Sequence, residues 1–389
     1  MNILFDLIAS QPENNLKYHG GSEYTKAVFR AVVQKAPGRI FCIYDSERYI
    51  DKDIISLCQS GNLPLIDISK YGSLNPVIKE YNIDRFYTAL PLDRVIQDML
   101  PFSDKVKSII TIHGLRSLEL LSDNFELKYT DRFYYRLKYF YKRIFPVEYE
   151  RRLLLKMRLL IRNYNNPTII TVSNFSKWSL KYFMPEIPDN NINVLYSPFS
   201  DYLGINNDDS ILLKNNLQSK RYFLLLSAGI WQKNSYRMLC AFNDLIQKDQ
   251  TKGHKFVVIG ASRSIKKAFP QSSIIYLDYQ ERSDLEGLLK NAYALVYPSL
   301  NEGFGYPPLE ALKYGTGVIA SAIGPVMEVC GNTALYFNPY SLTEMKLRLL
   351  QSINDPDFTT NTQPRTDRFL LIRQKQIKDL DVLANLICN

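Results

Sequence analysis

Two glutamates eight residues apart, Glu302 and Glu310, flank a glycine-containing loop in the segment YPSLNEGFGYPPLEALKYG, which starts at Tyr297. The loop connects a predicted buried strand to a predicted helix, a position at which α/β sheets bind anions. Carboxylates beside a phosphate site would repel the phosphate unless they bind another group. Sugar hydroxyls are suitable partners, because they donate hydrogen bonds to carboxylates. The alternative is that both glutamates only cap the helix and favour its dipole.

Lys233 and His113 each follow a predicted strand, so their side chains lie at the edge where parallel strands end. Lys233, in SAGIWQKNSYRML, precedes a helix and is placed to meet a diphosphate as a point charge. His113, in SIITIHGLRSLE, ends an apolar strand and therefore faces a crevice rather than the core. An ordinary solvated lysine and a structural histidine are the alternatives.

A pair of glycines, Gly20 and Gly21, separates the first predicted strand from a helix that is predicted to start near Ser22. Glycines at such a turn let the backbone approach a ligand closely. A tight turn between strand and helix would require them equally. His19, directly before the pair, is a further candidate.

Short, continuously apolar runs alternate with helical stretches along the chain, which is typical of parallel strands buried on both faces. The alternation predicts an α/β fold with doubly wound parallel sheets, and a polar stretch over 197–209 divides it into two halves. The predicted strands are 2–8, 38–45, 64–68, 85–90, 107–113, 168–173, 192–197, 222–228, 255–260, 273–278, 294–299, 317–322 and 334–339.

The segment IIYLDYQERSDLEGLLKNAYALVYPSLNEGFGYPPLEALKYGTGVIASAIGPVMEVCGNTALYFNPYS resembles the E-x7-E region of family-4 retaining glycosyltransferases over some seventy residues. The resemblance implies a GT-B architecture, in which two Rossmann-like doubly wound domains face each other across a cleft. It also implies that Glu310 holds the ribose hydroxyls and that Glu302 contacts the transferred sugar. The sugar and diphosphate would be lined by the backbone of three residues, Gly303, Phe304 and Gly305.

The same resemblance extends to the other candidates. The family pattern G-R-x-x-x-x-K-N ends on Lys233, but its arginine falls on Ala228, and Arg237 or Arg263 would have to supply the missing positive charge. His113 matches a TIHD-type motif whose histidine approaches the donor sugar, although the aspartate that often follows is Gly114 here. A similar GG turn reaches the donor phosphates or the acceptor, and TVSNFSKWSL resembles a family stretch to which we assign no chemistry.

Three domains follow from this architecture: 1–200 as the acceptor-side domain, 201–365 as the nucleotide-sugar domain, and 366–389 as a helix that crosses back to the first. The implied reaction transfers a sugar from a nucleotide-sugar to an acceptor hydroxyl of a glycan or lipid-linked saccharide, with retention. In the family the departing phosphate is thought to help take the acceptor proton. A phosphorylase, an epimerase and a catalytically impaired sugar-nucleotide binder remain as alternatives.

No cofactor and no metal are predicted. Two Asp-x-Asp triplets, Asp51-Lys52-Asp53 and Asp379-Leu380-Asp381, match the metal-binding pattern of the other main glycosyltransferase fold. Neither follows a predicted strand, and both are predicted to be solvated surface. Five scattered cysteines without a CxxC or Cys/His cluster predict neither a disulfide framework nor a zinc site and favour a reducing cytoplasm.

The composition, 46% apolar and 22% charged residues over 389 positions, fits two globular domains and excludes a disordered or fibrous protein. The opening MNILFDLIAS is typical of a strand rather than a secretion signal. No apolar run reaches the roughly 18 residues that a membrane span needs.

The net charge of +9 is concentrated between Asp131 and Arg162, where ten Lys/Arg stand against three Asp/Glu. Such an excess predicts an anionic partner, which is a membrane face, a phosphorylated acceptor or nucleic acid, but no nucleic-acid motif accompanies it. A basic and aromatic amphipathic helix is typical of the surface of an anionic membrane, where the enzyme would be peripheral. Alternatively, its apolar stripe packs into the first domain. The stripe consists of four residues at helical spacing before a helix-breaking Pro146: Phe133, Leu137, Tyr141 and Ile144.

Overall fold

The computed structural model describes residues 1–11, 20–101, 105–130, 132–198 and 210–389. The chain divides into two compact units. Unit 1 consists of Met1–Leu115, Arg151–Tyr202 and Arg373–Asn389, and unit 2 consists of Arg116–Glu150 and Leu203–Ile372. The predicted domain boundary at residue 200 lies outside the described residues.

Residues 116–150, which were predicted to lie in the first domain, belong to unit 2. Two side chains attach this segment to the helix that begins at Ser235. The Tyr129 hydroxyl accepts a hydrogen bond of 2.8 Å from the Tyr236 backbone N–H. Asp123 forms an ion pair of 2.8 Å with Arg237. These contacts join positions more than 100 residues apart, so local sequence patterns do not reveal them.

Unit 1 contains a seven-stranded parallel sheet in the order β3-β2-β1-β4-β5-β6-β7. Within β1, the apolar run of Ile3, Leu4 and Phe5 is fully buried. The strands are β1 Asn2–Asp6, β2 Ile40–Tyr44, β3 Leu65–Asp67, β4 Ile83–Thr88, β5 Lys107–Ile112, β6 Thr168–Thr171 and β7 Ile192–Val194. The helices that lie wholly within this unit are α1 Gly20–Lys35, α2 Lys52–Ser60, α3 Asn75–Glu80, α4 Arg94–Asp98 and α8 Asn174–Phe183.

Unit 2 contains a six-stranded parallel sheet in the order β10-β9-β8-β11-β12-β13. The strands are β8 Tyr222–Leu225, β9 Lys255–Ile259, β10 Ile274–Leu277, β11 Ala294–Tyr297, β12 Gly317–Ser321 and β13 Leu335–Phe337. Its helices are α5 Arg116–Glu119, α6 Phe133–Ile144, α9 Ser210–Lys214, α10 Ser235–Gln247, α11 Arg263–Ala268, α12 Arg282–Asn291, α13 Tyr306–Lys313, α14 Gly324–Cys330 and α15 Leu342–Asn354. Two helices, α7 Pro146–Asn163 and α16 Gln363–Cys388, have residues in both units.

Every predicted strand has a counterpart in the structure, and each ends earlier at its carboxyl end than predicted. In each sheet the strand order reverses at one neighbouring pair of strands, which is β1 and β4 in unit 1 and β8 and β11 in unit 2. At such a reversal of strand order the loops diverge and leave a crevice, which is the usual ligand site of doubly wound sheets. In unit 2 this crevice lies between the loops that follow β8 and β11.

The last helix, α16, contacts unit 1 through residues 373–389, which start later than the predicted 366. Leu383 and Ile387 on this helix are buried, but Leu371 and Ile377 are more than half exposed. The buried face instead carries polar residues. Among them Asp379 accepts a hydrogen bond of 2.8 Å from the Tyr196 backbone N–H. The prediction that Asp379 is solvated surface was therefore wrong.

The first helix of the basic segment, α6, ends at Ile144, and the next helix, α7, begins at Pro146. The break therefore lies at Pro146, as predicted. Three of the four stripe residues on α6 are exposed, with 73% of Phe133, 53% of Leu137 and 65% of Ile144 accessible, and Tyr141 is half-buried. This exposure does not fit the alternative in which the stripe is packed into a domain. Asp131, the first residue of the predicted segment, lies outside the described residues. Among the residues that the structure describes, no helix is long and apolar enough to cross a membrane.

Candidate active site

The loop after β8 turns sharply at the crevice of unit 2. Ser227 has a left-handed backbone with φ +55°, and the Ala228 N–H donates to the Ile259 carbonyl at 2.9 Å. A Cβ on Gly229 would stand 2.7 Å from the Gly260 carbonyl oxygen, so only glycine fits there. This close packing holds the loops after β8 and β9 together, and Lys233 follows at the end of a short 3-10 turn, Trp231–Lys233.

Glu302 and Lys233 lie in direct contact at this crevice. The Lys233 ammonium donates to Glu302 Oε1 at 2.6 Å and to the Tyr297 hydroxyl at 3.1 Å. It also lies 5.0 Å from the centre of the Tyr297 ring. A second cation, the Arg116 guanidinium, stands 3.8 Å from Glu302 Oε2. The two loops thus bring a buried carboxylate between two positive charges.

The charge state of Glu302 follows from this arrangement. Burial alone would raise its pKa, but the positive charges of Lys233 and Arg116 outweigh burial and lower the pKa below its ordinary value. Glu302 is therefore ionised at neutral pH, and its oxygens can accept hydrogen bonds.

Glu310 lies in the second turn of α13 and has a different partner. Arg282, the first residue of α12, donates from Nη1 to Glu310 Oε1 at 2.6 Å and from Nε to Glu286 Oε1 at 3.0 Å. Burial raises the pKa of Glu310, and the charge of Arg282 offsets only part of that effect. The two predicted glutamates are thus both buried, and each is oriented by a separate cation.

The glycine loop ends where α13 begins. Gly305 has φ +118°, a conformation that favours glycine, and Pro307 lies in the first turn of the helix. Phe304 is buried beside the loop, with 4% of its surface exposed, and Gly303 is half-buried. The first turn of α13 therefore opens beside Glu302.

The two arginines proposed as replacements for the missing cation differ in their surroundings. Arg237 is 5% exposed, and both Nη atoms donate to Asp123, at 2.9 and 2.8 Å. Because Arg237 is held in this buried pair, the structure argues against a phosphate contact for it. Arg263 is exposed at the start of α11, directly after the loop that packs against Gly229, and it remains a candidate.

Three candidate residues, His113, Gly20 and Gly21, lie in unit 1. His113 directly follows β5, as predicted, and one ring nitrogen lies 3.1 Å from the Ala89 carbonyl oxygen. Its ring packs edge-on against Tyr24. Gly20 and Gly21 are the first residues of α1, so they form the helix start rather than a turn before it. His19 lies outside the described residues.

Sequence reasoning missed three side chains that orient the glutamates: Arg116, Arg282 and Tyr297. Arg116 and Arg282 are the first residues of α5 and α12, and nothing in their local sequence marks them. Tyr297 was visible at the end of a buried strand, but as one of 27 tyrosines it carried no signal. Among the described residues, no group of three or more His, Cys, Asp or Glu side chains could hold a metal ion.

The two doubly wound parallel sheets, with charged groups at the strand-order reversal of the second, define an α/β protein of the GT-B architecture. The crystal structure of Anabaena Alr3699/HepE in complex with UDP and glucose superposes with a TM-score of 0.65 at 13% identity, over 100% of this chain and 98% of that one. Residues 209–368 match the family model described as glycosyl transferases group 1.

Two curated relatives are similar over part of their length. The chain is 33% identical over 147 residues to the O-antigen chain mannosyltransferase RfbU of Salmonella typhimurium, covering 36% of this chain and 39% of the relative. It is 27% identical over 197 residues to the O-antigen chain mannosyltransferase B of Escherichia coli, covering 48% and 51%. The matches thus span about half of these relatives or less.

Proposed function

We propose that this protein is a retaining glycosyltransferase, which moves a sugar from a nucleotide-sugar to an acceptor hydroxyl on a growing glycan or a lipid-linked saccharide. The observation that carries the proposal is the buried Glu302–Lys233 pair at the strand-order reversal of unit 2, where Lys233 Nζ lies 2.6 Å from the carboxylate. The pair lies inside the segment that matches the family model.

In this proposal each charged group has one task. Lys233 and the first turn of α13 stabilise the negative charge that develops on the leaving diphosphate. Glu302, kept ionised by its two cations, accepts hydrogen bonds from the transferred sugar, and Glu310 accepts them from the ribose. The bond from the anomeric carbon to the diphosphate breaks, and a bond to the acceptor oxygen forms on the same face. The acceptor proton passes to the departing phosphate.

In unit 1, taken by itself, the candidate ligand-binding residues are His113 and the Gly20–Gly21 helix start. The histidine follows a strand at the carboxyl edge of its sheet, where a side chain faces ligand rather than core. We propose that it contacts the donor sugar and that the glycines approach the donor phosphates or the acceptor. Neither task requires a metal ion or a cofactor.

The names of the relatives support a proposal for the class of transferred sugar and for the class of pathway. Both aligned relatives are named as mannosyltransferases of an O-antigen chain, and the Anabaena protein was crystallised with UDP and glucose. We therefore propose a hexose, with mannose first among the candidates, carried by a nucleoside diphosphate and added during polysaccharide biosynthesis.

Ala228 in place of the family arginine favours one rival, a sugar-nucleotide binder with impaired catalysis. Arg116, 3.8 Å from Glu302, and the exposed Arg263 at the adjacent loop supply positive charge near this position, which supports an active enzyme. An epimerase is the second rival, and it would release a free sugar nucleotide rather than a glycoside.

A panel of UDP- and GDP-sugars tests the proposal. We expect one donor to raise the melting temperature of the protein and, with a saccharide acceptor, to yield a glycoside of retained anomeric configuration in the presence of EDTA. Inverted configuration or loss of activity in EDTA would contradict the mechanism. Binding without turnover would favour the impaired binder.

We also propose that the enzyme rests on an anionic membrane surface through α6, at the inner face of the membrane. The exposed stripe of Phe133, Leu137 and Ile144 supports this proposal because large apolar side chains are rarely left together in water. Basic residues of the same helix suit anionic headgroups.

A further inference from the structure

A pocket of about 270 Å³ adjoins the Glu302–Lys233 pair, and every residue that lines it belongs to unit 2. One wall is the segment 116–150, and the other is the loop Gly229–Gln232, which directly precedes Lys233. Arg116 both lines the pocket and lies 3.8 Å from Glu302. Arg116 therefore links the pocket to the candidate active site.

The floor of the pocket is an ion pair held against an aromatic ring. Lys142 donates to both carboxylate oxygens of Glu126, at 2.6 and 2.8 Å, and lies 5.5 Å from the centre of the Trp231 ring. The lysine and glutamate side chains are only 6% and 13% exposed. Burying such a pair costs desolvation energy that a surface pair avoids, but it holds donors and acceptors in one geometry.

These groups suit a single sugar ring. The face of Trp231 can cover the apolar C–H face of a pyranose, while the Glu126 carboxylate accepts from its hydroxyls and Lys142 donates to them. The volume is just below the roughly 300 Å³ at which pockets for drug-sized ligands begin, so it fits one sugar unit rather than a chain. Glu126 neutralises the buried Lys142, but Arg116 and Lys138 leave the lining with excess positive charge, so an anion is the competing ligand.

We propose that this pocket binds the sugar unit of the acceptor that receives the new linkage. The proposal rests on the proposed glycosyl transfer and assigns its acceptor to a pocket built by residues 116–150 of unit 2. At the edge formed by Arg116, a hydroxyl of the bound sugar lies next to the groups that hold the donor sugar. The segment 116–150 then sets acceptor specificity.

The two tryptophans of the chain allow a direct test. Trp231 lines the pocket, whereas Trp178 lies on α8 in unit 1 and is 65% exposed. The Trp178→Phe variant keeps Trp231 as its only indole and is titrated with methyl glycosides of mannose, glucose, galactose, N-acetylglucosamine and rhamnose. We expect a saturable change in fluorescence with at least one of them. The Trp231→Phe variant, which keeps only Trp178, is the matched control and should not respond.

The proposal is overturned if no glycoside changes the fluorescence of the Trp178→Phe variant, or if the control responds equally. A response to pyrophosphate alone would also overturn it and assign the pocket to an anion. For the glycoside that responds, Trp231→Ala should raise the acceptor KM at least tenfold, with Trp231→Phe restoring most of the affinity. If the wild type binds no nucleotide-sugar, the proposed function is refuted instead. The fluorescence titration needs no nucleotide-sugar, so the two outcomes are distinguishable.

Discussion

The Lys233 ammonium has two contacts at the crevice, the carboxylate of Glu302 and the hydroxyl of Tyr297. Since Ala228 is apolar and Arg237 is held by Asp123, we assign the leaving-group charge to Lys233. Lys233→Ala should lower kcat by roughly 100- to 1000-fold, as expected for loss of one donor to a developing oxyanion. Steady-state kinetics with saturating donor measure this effect.

Arg263→Ala is the matched control for that variant, because Arg263 is exposed on the neighbouring loop. We expect it to lower kcat far less than Lys233→Ala does. If Lys233→Ala is fully active and Arg263→Ala is not, the diphosphate is held by Arg263.

Substitutions of Glu302 and Glu310 should have different effects, since Glu302 is proposed to contact the transferred sugar and Glu310 the ribose. Glu310→Ala should weaken nucleotide binding by roughly 10- to 100-fold, the range for a hydrogen bond to a charged group. Glu302→Ala should leave nucleotide binding nearly unchanged and mainly lower turnover. Calorimetry with UDP and GDP, combined with kinetics, separates the two effects, and full transferase activity in both variants would show that the site is elsewhere.

Helix α6 has one buried face and one exposed face. Lys142 is buried against Glu126, while Phe133, Leu137 and Ile144 are exposed. A membrane-bound orientation predicts that the protein floats with anionic vesicles at low salt and is released at high salt, because the attraction to headgroups is screened. Flotation with neutral vesicles should retain little protein.

Leu137→Glu places a charge in the exposed stripe and should abolish flotation without altering the melting temperature. The control is Leu347→Glu on α15, since Leu347 is equally exposed at 57% against 53% but lies outside the stripe. Absence of binding to anionic vesicles at low salt would remove the membrane proposal and leave α6 as a solvated helix.

The stability of the whole molecule should depend on the ionisation of Asp6, which is fully buried at the end of β1. Its carboxylate accepts from the Thr88 hydroxyl at 2.7 Å and from the Ile8 N–H at 2.9 Å. Burial raises the pKa of Asp6 from 3.8 to about 7. The folded protein therefore keeps a proton that the unfolded chain releases above pH 4, and stability is lost as the pH rises toward 7.

The Asp6→Asn variant should remove this dependence, because the amide is neutral and of similar shape. Ionisation of Asp6 costs the wild type up to roughly 4 kcal/mol above pH 7. We expect the melting temperature of the wild type to fall between pH 4.5 and 7.5 relative to that of the variant. Parallel curves for the two proteins would show that Asp6 is ionised throughout.

The strands, their alternation with helices and the positions of Glu302, Lys233 and His113 at strand ends were all predictable from the sequence. Each depends on a short window in which apolar runs, glycines and prolines determine the local backbone. The break at Pro146 and the start of α13 beside Gly305 were predictable for the same reason.

Only the tertiary structure decided which partners these side chains have. Arg237 pairs with Asp123 across 114 residues, Glu310 with Arg282, and Lys142 with Glu126, and no local pattern distinguishes these cations from solvated ones. The membership of residues 116–150 in unit 2 and the burial of Asp379 were decided in the same way. Buried charges require specific partners in space, and a sequence pattern records spacing along the chain but not contacts between distant segments.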